Sequence, residues 1–267
     1  MENTFIFSVV TFIYGLSSVL YIAGSVFHSE KIVKAGFFFL VFGFAGNVTG
    51  FFLRWIESYR LGIGRIPLSN LYESLVFFAV SAAFLYIVFL KKNTYPTVGA
   101  IVSTIIFFAM AYAGISPNSD SAISPLVPAL RSNWLTTHVM TCFFAYAAFA
   151  ISFAVSLIII FKAKEGVLER LEILNSQIIL FGFLFLTLGI ITGSVWANSA
   201  WGRYWSWDSK ETWALITWLV YALVLHSRYM TEWSSKVTAW LSILGFLAVM
   251  FTYFGVNLIL PGLHSYA

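Results

Sequence analysis

The sequence predicts an all-α protein, a polytopic membrane helix bundle of about eight transmembrane helices with both termini on the outer side. Three observations predict it. Of 267 residues, 60% are hydrophobic and 10% charged, and the mean hydropathy is +0.87. A soluble domain covers itself with about 25% charged residues. The apolar residues fall into eight runs, each near the roughly 20 residues that a helix needs to cross about 30 Å of hydrocarbon. These runs do not alternate in polarity as barrel strands do, so helices are the structure that satisfies their backbone.

In chain order the expected spans are 5–27, 32–53, 71–90, 96–115, 135–161, 176–195, 213–230 and 237–259, forming one domain over 1–267 without internal repeats. The opening Met1-Glu2-Asn3 lacks a basic n-region, so the first run is expected to stay in the chain. A net charge of +4 and a pI near 9.1 raise the question of nucleic acid. The 15 Lys and Arg are scattered singly between apolar runs, however, and read as topology signals, so no nucleic-acid partner is expected. With the N-terminus outside, the inner connections hold nine basic residues: Lys31, Lys34, Lys91, Lys92, Lys162, Lys164, Arg170, Arg228 and Lys236. The outer ones hold six: Arg54, Arg60, Arg65, Arg131, Arg203 and Lys210. The excess on the shorter connections sets the orientation.

Two connections look like more than tethers. Residues 54–68 mix charges with Trp55 and Tyr59 and read as a short interfacial helix. Residues 162–174 carry an apolar face at Val167, Leu168, Leu171 and Leu174, and read as an amphipathic extension of the fifth span. The single cysteine, Cys142, sits in an apolar run and reads as helix packing. No C-x-x-C-H site is present, so the chain is not itself a c-type cytochrome.

Six of the ten tryptophans (Trp196, Trp201, Trp205, Trp207, Trp213 and Trp218) fall within 23 residues around the sixth connection. An interfacial aromatic belt is one reading, but a belt spreads its rings over many helix ends. Concentration in one connection favours a platform for a large planar ligand, with Trp201 and Trp205 sharing a face if that segment is helical. His138 opens the fifth span and His264 follows the eighth, both at the membrane level of this connection. Two imidazoles converging on an aromatic shelf read as axial ligands of a haem. Arg203, Lys210 and Arg131 are on the same side to meet its propionates, or else pair with Asp208, Glu211 or lipid phosphate. His226 lies 13 residues past Trp213, about 20 Å deeper at 1.5 Å per residue. An ionisable group at that depth is a functional candidate, the alternative being a side chain snorkelling beside Arg228. His28 reads as ordinary interface.

The stretch WGRYWSWDSKETWALITWLVYALVLH at 201–226 resembles the tryptophan-rich WWD signature of the CcsA (ResC) family, the haem-handling subunit of the System II cytochrome c synthase. PLSNLYESL (67–75), PLVPALRSNWLTTHV (125–139) and GVNLILPGLHSYA (255–267) are similar to the same family. The resemblance implies that His138 and His264 ligate haem b on the outer face against Trp196, Trp201, Trp205, Trp207, Asp208 and Arg203. It implies that His226 marks an earlier intramembrane position. Ser209 stands where proline is expected in the signature, which leaves the start of the seventh span less defined. Implied partners are a CcsB/ResB-like membrane protein, apocytochrome c with its C-x-x-C-H motif, haem itself and a thiol-reducing protein. The implied location is a bacterial inner (cytoplasmic) membrane, or a thylakoid if the source is a plastid. No catalytic acid, base or nucleophile is evident, so catalysis would be positioning of the partners. Two other functions are compatible with the residues: a haem delivery protein resembling CcmC without lyase chemistry, and an electron-transfer cytochrome b. A structural assembly protein without haem is a further alternative.

Overall fold

A computed structural model describes all residues except 1, 91–94, 162–164, 231–232 and 261–267, and the side chains of residues 2, 165, 257 and 258. Lys91, Lys92, Lys162, Lys164 and His264 therefore lie outside the described residues. The described chain is helical throughout: α1 Glu2–Val26, α2 Glu30–Arg60, α3 Leu71–Phe89, α4 Pro96–Ile115, α5 Asn133–Phe161, α6 Glu165–Trp201, α7 Ser209–Tyr229 and α8 Ser235–Met250. A π-helical turn, Phe251–Gly255, and the short α9, Val256–Ile259, continue α8. Two compact units emerge, Met1–Pro128 and Ala129–Ala267.

In the first unit α1 packs on α2 and α4, and α3 packs on both of those. The buried stripe of α2 is Val33, Gly36, Leu40, Gly43, Asn47, Gly50, Arg54 and Ser58. Its alternating steps of three and four form the seam of a left-handed helix pair. Glycine along that seam lets α1 approach closely, because a Cβ at Gly50 would stand 2.7 Å from the Phe7 ring. The stripe runs past residue 53 without a break, so residues 54–60 extend α2 and are not a separate interfacial helix. Of the arginines in this segment, Arg54 and Arg65 are buried and Arg60 is exposed. Glu73 at the start of α3 receives Arg54 at 2.8 Å and Arg65 at 2.6 Å, with all three side chains at most 5% exposed. Arg54 also donates to Ser121 O and Ala122 O, and Arg65 to Ser124 O, which ties the 121–124 segment to this unit.

In the second unit α5 is central, packed on α6 and α8, with α7 against α6 and α8. Its buried face is rich in Ala145, Ala147, Ala148, Ala150 and Ala154, which draws the neighbouring backbones close. Phe149 of α5 and Tyr221 of α7 stack at 3.5 Å. Ser152, Asn175, Ser156 and Ser242 satisfy one another inside the bundle, as polar groups out of water must.

The eight expected helices are all present, and two expectations about their extent change. Among the described residues, seven helices are long and apolar enough to cross a membrane, and α7 is not one of them. Its ends carry Lys210, Glu211, His226 and Arg228, and its buried face carries Thr217, Tyr221 and Ser227. Ile216, Leu219 and Leu223 face outward, an inside-out polarity suited to lipid. Residues 165–174 belong to α6, not to an extension of α5. At 37 residues α6 is about 55 Å long, well beyond the hydrocarbon thickness. It also carries Trp196 and Trp201, expected in a connection, because nothing breaks the helix until Gly202. That residue adopts φ +74 and its N–H donates to Asn198 O at 2.9 Å, a left-handed helix stop that glycine favours. Trp201 and Trp205 therefore do not share a helical face.

Candidate functional site

Only residues 202–208 separate α6 from α7, and one carboxylate organises them. Glu211 Oε2 accepts from Ser206 N at 2.7 Å, Ser206 Oγ at 3.2 Å and Asp208 N at 3.2 Å. Asp208 in turn accepts from Glu211 N at 2.8 Å, closing a capping box on α7. The start of α7 is thus firmly capped with serine at 209. The tight path holds Trp207 at φ +60 with its side chain 69% exposed, a backbone conformation that a bulky residue keeps only when its surroundings enforce it.

At this end of the second unit, the start of α5, the last turns of α6, the 202–208 loop and the π-helical turn surround a cavity of about 140 Å³. His138, Cys142, Gly193, Tyr204, Trp205, Lys210 and Tyr253 are among its walls. His138 Nδ1 lies 2.7 Å from the Gly189 carbonyl oxygen. A carbonyl only accepts, so Nδ1 carries the proton and Nε2 the lone pair. That tautomer, with Nδ1–H on a main-chain carbonyl, is the one in which histidine serves as a metal ligand.

The tryptophans divide into different roles. Trp196 is 1% exposed, donates from Nε1 to Ala129 O at 2.9 Å and lies parallel to the His138 ring at 6.2 Å. Trp201 meets it edge-on at 4.8 Å. These two buttress the histidine and do not line the cavity. Trp205 does line it, and its Nε1 is buried with no acceptor among the described residues. Trp207 contacts Trp205 edge-on at 5.7 Å and otherwise faces out. The structure thus brings His138, Trp205 and Lys210 together, with Trp196 and Asp208 supporting them. Arg203 and Arg131 are exposed and outside the walls. His226 is exposed in the last turn of α7, also outside the walls.

Sequence reasoning missed Gly189 and Gly193 of α6, which face His138 and Cys142. The spacing Gly-x-x-x-Gly was the available signal for a close helix crossing. It also missed Thr252 and Tyr253, which the π-helical turn aims into the cavity; such turns occur often at functional sites.

A haem fits the donor chemistry of this cavity: an imidazole in the coordinating tautomer, an aromatic wall, an orphaned indole N–H and an ammonium group. The volume sets a limit. Pockets that enclose a drug-sized ligand occupy about 300–1,000 Å³, so this one admits part of a porphyrin and leaves the remainder at its opening.

The family model described as cytochrome C assembly protein matches residues 68–264. Among curated proteins, the chain is 45% identical to the cytochrome c biogenesis protein CcsA of Chlamydomonas reinhardtii, covering 80% of this chain and 63% of that one. The protein of the same name from Guillardia theta is 42% identical, covering 80% and 79%. That of a Prochlorococcus marinus strain is 37% identical, covering 80% and 78%. Among solved structures, cytochrome c heme lyase CcmF superposes with a TM-score of 0.76 over 94% of this chain and 46% of its own, at 15% identity. That likeness is one of fold.

Proposed function

Because the chain belongs to the cytochrome c assembly protein family, we propose that this integral membrane protein presents haem b for covalent attachment to apocytochrome c. The observation that carries the reading is His138, held in its coordinating tautomer by Gly189 O at the wall of a cavity that Trp205 and Lys210 also line. His138 and His264 would hold the haem iron. Trp205, through its indole N–H, and Lys210 would receive a propionate. Trp196 and Trp201 keep the imidazole in place, and Asp208 and Glu211 keep the loop in shape. Trp207 and Arg203 face the opening, where apocytochrome arrives.

Haem reaches the segment of α7 bearing His226 first and then moves about 20 Å along the helix to the cavity. Both termini and the 202–208 loop lie on the outer side of a bacterial cytoplasmic membrane, or of a thylakoid. The chain acts as a single haem-handling domain with a CcsB/ResB-like partner, and a thiol-reducing protein keeps the two apocytochrome cysteines reduced. Each thiol adds across one vinyl double bond, sulfur to one carbon and proton to its neighbour, so no external oxidant is consumed. The chain's own contribution is positioning.

The test is the absorption spectrum of the purified chain. His138→Gly and His264→Gly should lose haem and regain it when imidazole is added to the medium, because a small free ring can fill the position that the side chain leaves. His226→Gly should carry little haem with or without imidazole. A His226 variant with a normal haem spectrum would remove the inner position from the scheme. Thioether-linked cytochrome in a host supplied only with this chain and a CcsB partner separates lyase function from delivery alone.

A further inference from the structure

We propose that Gly189 and Gly193 of α6 are positioning residues for His138, and this rests on the reading of His138 as an iron ligand. Gly189 supplies the main-chain carbonyl that holds the ring proton at Nδ1, at 2.7 Å. Gly193, one turn on, supplies the space that the ring fills. A Cβ at 193 would stand 2.6 Å from His138 Nδ1 and 2.7 Å from Cε1. A Cβ at 189 would stand 2.7 Å from Cys142 Sγ, one turn further along α5. The two glycines therefore form a slot in α6 into which consecutive turns of α5 place an imidazole and a thiol.

The slot has a chemical consequence. Neutral imidazole exchanges its proton freely between two nitrogens in water, and only the deprotonated one donates to iron. In the slot Nδ1 faces the Gly189 carbonyl and, at 3.7 Å, the weaker Cys142 sulfur. The carbonyl accepts only, so the lone pair is fixed on Nε2. Trp196, parallel to the ring at 6.2 Å, limits rotation from the other side. A methyl at 193 would turn the ring off the carbonyl and release both the tautomer and the direction of Nε2. The ring is the movable party, so this change displaces a ligand and leaves α6 helical.

The experiment uses the full chain in detergent, titrated with haem b and read by absorption. Gly193→Ala should weaken haem binding by about 10–100-fold, the usual cost of removing the group that orients a metal-ligating histidine, and should reduce the low-spin fraction. Cys142→Ala should restore binding to Gly189→Ala, because it removes the sulfur that the new methyl would strike. His138→Gly with Gly193→Ala, given imidazole, should bind haem as well as His138→Gly given imidazole, since a free ring seats itself without the tether. Wild-type affinity and spectrum in Gly193→Ala would overturn the proposal. So would a double variant that fails where His138→Gly recovers, because the slot would then serve packing in general. If His138→Gly alone keeps the wild-type spectrum without imidazole, the reading of His138 as a ligand fails first, independently of either glycine.

Discussion

Glu73→Gln tests whether the buried ion pairs of the first unit are structural. Glu73 accepts five contacts from donors that have nowhere else to place that bond. Oε1 faces Arg54 Nε at 2.9 Å and Nη2 at 2.8 Å, and Oε2 faces Arg65 Nη1 at 2.6 Å, Ser69 N at 3.0 Å and Ser69 Oγ at 3.1 Å. Glutamine keeps one acceptor oxygen and sets an NH2 against the other group of donors. Among the described residues the site holds two guanidinium groups and one carboxylate, so the change leaves two buried positive charges with no described counterion. Breaking a buried pair by removing one partner costs about 3–5 kcal/mol. Exposure of at most 5% means that water screens little of it. Equilibrium unfolding in mixed micelles, followed by circular dichroism, should show a loss of that size, while Ser69→Ala should lose about 1 kcal/mol, one ordinary hydrogen bond. A loss below about 1 kcal/mol in Glu73→Gln would refute the argument.

Trp205→Phe should keep the haem spectrum but weaken retention, because it removes the orphaned N–H and leaves the ring, whereas Trp207→Ala, largely exposed, should change retention less; the reverse order would move the ligand to the outer face of the loop. Asp208→Ala should destabilise the start of α7 by about 1 kcal/mol through loss of the cap, and Asp208→Asn should recover most of it; equal losses in thermal unfolding would count against capping as the cause. Reporter fusions after Lys92 and after Lys164 should read cytoplasmic and a fusion at Ala267 external, and the opposite pattern would invert the proposed orientation.

Hydropathy located the spans because burial in lipid demands an unbroken apolar run, and that demand is local in sequence. It could not locate the helix ends. Residues 54–60 and 196–201 are polar or aromatic yet helical, because a helix continues for as long as its backbone is unopposed, whatever solvent surrounds it. The stop at Gly202 was legible in principle and separates Trp201 from Trp205. Arg54 and Arg65 were misread for a different reason. Their partner, Glu73, is 19 and 8 residues away, and a charged side chain in a connection looks the same whether it faces water or a buried carboxylate. His138 and the tryptophan loop were legible as neighbours because the connections alternate sides. Which tryptophan lines the cavity depends on the path of the 202–208 loop, which the turn at Gly202 and the Glu211 carboxylate set.

The corrected burial also bears on orientation. Arg54 and Arg65 neutralise an internal carboxylate, so they are poor signals of side, and the six basic residues assigned outside fall to four once these two are set aside. Of the nine assigned inside, Arg228 is partly committed to Glu172 at 3.4 Å and Lys34 to Glu30 at 3.6 Å, which leaves seven. Seven against four keeps the excess on the connections expected inside. The mixed polarity of the cavity walls suits a site at a membrane interface. Gly189, which anchors His138, lies about 9 Å inside the end of the apolar run that closes at residue 195, at 1.5 Å per residue. Lys210, Asp208 and Glu211 lie at the loop that caps it. A flat ligand with an apolar body and a carboxylate edge matches that gradient in one orientation only: body towards Gly193 and Cys142, carboxylates towards Lys210 and the Trp205 N–H. Reversal would bury the carboxylates among apolar groups, at a cost of several kcal/mol.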